Sequence, residues 1–410
     1  MLNSAGSRKS SLSAGSFDAG KINATIQRAF AAAGLDSQSG PMKGVTDTIE
    51  RALSGAGIYP PPASPEVERG VVLDGVARDI TPGCDSVESD AGTVRRPVPA
   101  PGEFLSRSFS NAAGTRVYRL HVPASYSKAA GPVPAVLMLH GCTQSPEDFA
   151  AGRRMNALAD EHGFLVIYPA QPAQANPSRC WNWFNAEDQV RGRGEPSLLA
   201  GITRAVAADY RVDPQRIFVA GMSAGAAMAV VLGETYPDLF AAVGAHSGLA
   251  FGAAHDVSSA MAAMQGGSVL NGNTPPSSRA DRAHRDQPMP TIVFHGDRDM
   301  TVNVRNGNTI VEHAKAGSFG DGALRAQVEG SISDGGRTCR RTTYVDAAER
   351  AIVEHWVLTG AGHAWSGGNP AGSYTDARGP DASAEMVRFF LAQQRPSAAS
   401  ADGIGNEQCP

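Results

Sequence analysis

From about residue 104 to residue 394 the chain alternates short, uninterrupted apolar runs with segments of helical periodicity, and no other feature narrows the choice of fold as much. The runs are AVLML (135–139), FLVIY (164–168), RIFVA (216–220), FAAVGAH (240–246), TIVFH (291–295) and AIVEHWVL (351–358). Helix-like segments fall between most of them, at 150–161, 198–209, 224–234 and 305–315, with a last one at 381–394. Strands that are apolar on both faces need cover on both, and helical connections run neighbouring strands the same way. The pattern therefore predicts an α/β domain with a mostly parallel central sheet and helices on both faces. Ahead of it, SRSFS and TRVYRLHV around NAAG predict an antiparallel hairpin. Ligands of such sheets bind beyond the carboxyl ends of the strands, so the residues there carry the functional weight.

Residues 1–103 have a different texture, rich in Ala, Gly, Ser and Pro, with YPPPASP at 59–65 and RRPVPAPG at 95–102. They read as a partly disordered, low-complexity extension and linker to a main domain at 104–395, with a tail at 396–410. Within the extension, TIQRAFAAAGL (25–35) and TIERALSGAGI (48–58) form a short duplication that predicts two amphipathic helices. These would dock on the main domain or lie on a hydrophobic particle or membrane surface. A net charge of −4 without a basic stripe argues against nucleic acid as a partner. The first twenty residues contain no apolar signal core, and no window is apolar for long enough to span a bilayer, so a cytoplasmic protein without a transmembrane segment is expected. Five cysteines are too few and too scattered for a disulfide framework or a zinc site; Cys142 with Cys180 is the one pair worth testing, and free thiols are the default for the cytosol.

The chemistry starts at VAGMSAGAAM (219–228), where Ser223 stands between Gly221 and Gly225. A G-x-S-x-G arises by chance in a chain with 46 glycines, but here it lies between a predicted strand and a predicted helix, the context of a strained nucleophile turn. Such a turn lifts the hydroxyl clear of the sheet and leaves the Ala224 amide at a helix N-terminus, where an oxyanion would form. A serine needs a base and an orienting carboxylate, expected later in the order Ser, Asp, His. Asp299, in FHGDRDMTV, and His363, in LTGAGHAWSGG, each follow a predicted strand; Asp297 is a rival carboxylate. The loop LHGCTQS after the first central strand offers the Cys142 amide as a second oxyanion donor, its thiol being read as inert or disulfide-bonded. Trp181, Trp183 and Trp365 would form an apolar wall for an acyl chain if their loops converge, although each could instead close the core. His162, His255, His284 and His313 lack a partner pattern and read as surface residues.

LHGCTQSPEDFA, CWNWF, VDPQRIFVAGMSAGAAMA, HGDRDMTV and GAGHAWSGG together resemble the polyhydroxybutyrate depolymerase family of esterases, which are α/β-hydrolases, over about residues 104–394. The resemblance implies Ser223 as nucleophile, Asp299 and His363 as its partners, the amides of Cys142 and Ala224 as oxyanion donors, and the tryptophan segments as substrate contacts. It implies a serine esterase with no metal or organic cofactor, acting on polyhydroxyalkanoate polymer or oligomers. A feruloyl- or acetyl-type carbohydrate esterase is the alternative, and an inactive granule-binding protein is an alternative of another class. The family often has a second glycine where this chain has Ala226. Secreted members carry a signal peptide and a polymer-binding module that are not visible here, which directs the expectation to granules or soluble oligomers inside the cell.

Overall fold

The structure is a computed structural model that describes residues 102–128, 130–267, 288–316, 324–333 and 335–396. The predicted N-terminal helices, His284 and the tail beyond 396 lie outside the described residues. A hairpin of β1 (Glu103–Asn111) and β2 (Gly114–Val122) opens the domain, followed by β3 (Val133–Leu139), α1 (Pro146–Arg153), α2 (Met155–His162) and β4 (Leu165–Pro169). The central part comprises α3 (Gly194–Asp209), β5 (Val212–Met222), α4 (Ala224–Thr235), β6 (Ala242–His246), α5 (Val257–Met264), β7 (Thr291–Gly296) and α6 (Arg305–Ala316). The chain closes with β8 (Arg325–Ile332), β9 (Thr338–Val345), β10 (Ala351–Leu358), the short pair β11 (Trp365–Ser366) and β12 (Thr375–Asp376), and α7 (Ala382–Leu391).

Ten strands form one sheet in the order β1-β2-β4-β3-β5-β6-β7-β10-β9-β8. The run from β4 to β10 is parallel, and antiparallel hairpins extend it at both edges. Side chains alternate across the sheet as period-two geometry requires: Leu137 and Leu139 enter one apolar cluster, with α3 and α4, while Val136 and Met138 enter the other, with α1, α2 and α7. Both faces are thus covered, which is why the central strands are apolar throughout.

Three features depart from the sequence reading. The helix expected at 150–161 is two helices. Ser145 caps α1 by accepting the Asp148 amide at 3.2 Å, Pro146 follows it, and Arg154, at φ 55°, ends α1 in left-handed backbone before α2 begins. The β8–β9 hairpin was not anticipated: β8 is exposed almost throughout, so its sequence carries no apolar run. Nor was α5, which is only eight residues long and starts from a capping box between Asp256 and Ser259.

Candidate active site

Ser223 sits at the tip of β5, at φ 57° and ψ −121°, a backbone conformation that costs an L-residue on the order of 1–3 kcal/mol and persists only when its surroundings enforce it. The enforcement is visible. The Ser223 amide donates to the His246 carbonyl at the end of β6 (2.9 Å), and the Ser223 carbonyl accepts the first turn of α4 from Ala227. A Cβ on Gly221 would lie 2.4 Å from the Gly225 carbonyl group, and one on Gly225 would lie 2.2 Å from the Leu139 carbonyl oxygen, so the helix can cross β3 and β5 at this distance only without side chains. Ala226 is accommodated because it faces Gly248, where a Cβ would stand 2.6 Å from that of Ala226.

Asp299 and His363 come together. His363 Nδ1 donates to Asp299 Oδ2 at 2.7 Å, while the amides of Thr301 (2.9 Å) and Val302 (2.8 Å) donate to Oδ1. Burial alone would raise the Asp299 carboxyl, but the His363 hydrogen bond and the surrounding charge and amides outweigh it and hold the group below the usual carboxylate range. The rival, Asp297, is exposed and caps the Gly360 amide at 2.6 Å. With Nδ1 engaged, Nε2 is the nitrogen of His363 left to take a proton. Among the described residues no hydrogen bond joins Ser223 Oγ to His363; His246 links the elbow to the segment that follows His363. The His246 carbonyl takes the Ser223 amide, and its ring accepts the Ser366 amide at 3.0 Å. Catalytic hydrogen bonds are often long without substrate and tighten in its complex.

The loop after β3 closes over the serine. A Cβ on Gly141 would lie 3.6 Å from the Ser223 Cβ and 3.1 Å from Gln144 Oε1. Gln144 Oε1 accepts the Gly141 amide (3.0 Å), and its Nε2 donates to Asp148 Oδ2 (2.7 Å) and Ser373 Oγ (3.0 Å), which pins the loop next to Cys142. No acceptor among the described residues takes the amide of Cys142 or of Ala224, so both remain free to bind an oxyanion. Cys142 is joined to Cys180 by a disulfide. Beneath the elbow lies fully buried Arg153, which donates to Ser373 O (3.1 Å) and Met222 Sδ (3.1 Å) and stacks on Phe149; burial draws its guanidinium down to about 9.

The tryptophans require a correction. Trp181 and Trp365 have no exposed surface and Trp183 is 5% exposed, so none forms an open wall for an acyl chain. Each is held inside by its partners. Trp181 Nε1 donates to His140 O (3.0 Å), Trp365 Nε1 donates to Ser383 Oγ (3.1 Å) while its ring stacks on His246, and Trp183 meets Phe184 edge-on. They position the site from behind. Three buried histidines escaped the sequence reading: His140, His246 and His295, each at the carboxyl end of a central strand. Burial pushes His140 to about 4 and drives His246 and His295 below the ordinary imidazole range. His295 Nε2 donates to Val302 O at 2.8 Å and so braces the turn that carries Asp299. Of the histidines read as surface residues, His162 and His255 are exposed and His313 is half-buried.

A serine on a strained elbow, an Asp–His pair after the later strands β7 and β10, and two free amides on a doubly covered, mostly parallel sheet define an α/β-hydrolase. The family profile described as Esterase PHB depolymerase matches residues 117–326, and the chain belongs to that family. Poly(3-hydroxyalkanoate) depolymerase C of Paucimonas lemoignei is 32% identical over 264 residues, 63% of this chain and 60% of its own length. A probable acetylxylan esterase A of Neosartorya fischeri is 31% identical over 48% of this chain and 54% of its own. Feruloyl esterase B of Neurospora crassa is 34% identical over 34% and 46% respectively. The chain thus spans between 46% and 60% of the length of these three relatives. An acetyl xylan esterase from Aspergillus awamori shares the fold, with a TM-score of 0.56 and 19% identity over 71% of this chain and 100% of that one.

Proposed function

We propose that the protein is a serine esterase that cleaves hydroxyalkanoate esters, as polymer or oligomer, through an acyl-enzyme. The observation that carries the reading is the 2.7 Å bond from His363 Nδ1 to buried Asp299, with Ser223 held in strained backbone at the tip of β5 in the same sheet. His363 Nε2 takes the Ser223 proton as Oγ attacks the ester carbonyl. Asp299 keeps Nδ1 protonated and steadies the imidazolium, and the amides of Cys142 and Ala224 donate to the oxyanion. His363 returns the proton to the leaving alkoxide; water then repeats the sequence, releasing the acid and regenerating the serine.

The hydroxyalkanoate substrate is supported by the family and by the P. lemoignei relative. A second reading, esters of acetylated or feruloylated carbohydrate, is supported by the acetylxylan and feruloyl esterase relatives. A panel of amorphous polyhydroxybutyrate granules, a hydroxybutyrate trimer, acetylated xylo-oligosaccharide and a feruloyl ester separates them. Release of hydroxybutyrate with little turnover of the sugar esters supports the first reading, and the opposite ranking replaces it with the second. Granule association through residues 25–58 belongs to the same proposal; deletion of those residues would abolish sedimentation with granules while leaving trimer hydrolysis intact. The Cys142–Cys180 disulfide is itself open to test in the cell. Alkylation of native cells before lysis, followed by peptide mass mapping, would find those two cysteines unlabelled.

A further inference from the structure

A groove of about 380 Å³ opens beside the carboxyl end of β4 and the start of α1. It is large enough for a short ligand segment. Gln144 belongs to both places, lining the groove while its Oε1 holds the Gly141 amide next to Ser223. The groove's exposed surface is more apolar than polar, with Val117, Pro146, Ala170 and Pro172 beside the amide side chains of Gln171 and Gln174. Its charges do not cancel. Arg119 is matched by Glu147, with Nε and Oε1 2.6 Å apart, whereas exposed Arg179 makes no ion pair among the described residues. The backbone of Arg179 is tied down. It lies at φ 53° with its amide on Asn176 O (2.8 Å), and the next residue, Cys180, is tied by the disulfide to Cys142. Its charge reaches the oxyanion loop, since it contributes to the lowering of His140.

We propose that this groove is a subsite for the free carboxylate end of an ester oligomer, with Arg179 as the recognising cation. The proposal rests on the esterase reading and deepens it. A mixed trough, more apolar than polar, with one unmatched guanidinium at its rim suits a short, weakly polar chain that ends in a carboxylate, because the chain contacts the trough while the fork geometry of arginine meets the two carboxylate oxygens. An internal stretch of polymer, or a capped oligomer, has no such end. The site therefore distinguishes oligomers with a free acid from esters of equal length without one.

The test is kinetic, on the full chain, with hydroxybutyrate trimer as the free acid and as its methyl ester. The wild-type protein is expected to favour the free acid in kcat/KM, and Arg179→Ala to reduce that preference on the order of fivefold, the scale of an exposed ion pair. Arg179→Lys, which keeps the charge but loses the fork, should restore only part of the preference, and high salt should erode it in the wild type. A preference absent from the wild type, or unchanged in Arg179→Ala, overturns the subsite while leaving the esterase reading in place. Cleavage of a simple acetate ester with both trimers untouched overturns the substrate reading and the subsite with it.

Discussion

At the scale of single residues, labour is divided among side chains that sequence alone ranks only partly. Ser223→Ala or His363→Ala should lower kcat by several orders of magnitude, with the far-UV spectrum and melting temperature near wild type. Asp299→Asn should cost about 10³–10⁴ in kcat, because the amide favours the wrong imidazole tautomer, whereas Asp297→Asn should leave kcat within about threefold. Equal losses from the two aspartates would contradict the assignment. Ser223, Asp299 and His363 stand out in the sequence because each follows an apolar run in the order Ser, Asp, His. The choice of Asp299 over Asp297 is explained only by the fold, in which the turn of Asp299 points inward and that of Asp297 caps a loop. The tryptophans misled for the opposite reason. Aromatic residues near site motifs read as substrate contacts, yet three-dimensional closure over Trp181 and Trp365 makes them core. His140, His246 and His295 gave no signal, since a histidine ending an apolar strand has no pattern of its own.

At the scale of elements, the elbow is a contact between three backbones, and its glycines are spacers as much as turn formers. Gly225→Ala would place a Cβ 2.2 Å from the Leu139 carbonyl oxygen and should destabilise the protein by at least about 1–3 kcal/mol, read as a lower denaturation midpoint. An unchanged midpoint would show that α4 can move away from β3, and would undercut the strain argument. The disulfide joins two loops across a separation of 38 residues, so removing it in a Cys142→Ser/Cys180→Ser double variant should cost about 2–4 kcal/mol. The central strands were readable because burial on both faces leaves continuous apolar runs. The β8–β9 hairpin was not, because an exposed edge needs no such run. The break at Arg154 was also hidden, although Ser145, Pro146, Glu147 and Asp148 carried the start signal for α1.

At the scale of the whole molecule, the buried histidines connect stability to pH. His140 Nε2 accepts the Gln171 amide at 3.1 Å and His246 Nε2 accepts that of Ser366, so both rings must stay neutral in the folded state. In the unfolded chain they titrate near 6.5, while in the folded chain His140 does so at about 4. The unfolded state thus binds more protons between these values, and stability present above pH 6.5 is lost as pH falls toward 4. Urea midpoints measured from pH 7.5 to 4.5 should decline through that window; a flat profile would contradict the burial of these rings. The mostly parallel sheet followed from sequence periodicity and the nucleophile turn from its G-x-S-x-G motif between strand and helix, while the closure of the site from behind depended on contacts between residues far apart in the chain. The central claim is that Ser223 is a nucleophile made reactive by His363 and Asp299, and covalent labelling tests it most directly. An aryl alkylphosphonate ester should add once per chain, with the adduct mapped by mass spectrometry to Ser223, absent in Ser223→Ala and formed far more slowly in His363→Ala. An adduct on any other residue, or a rate indifferent to His363, would contradict the account.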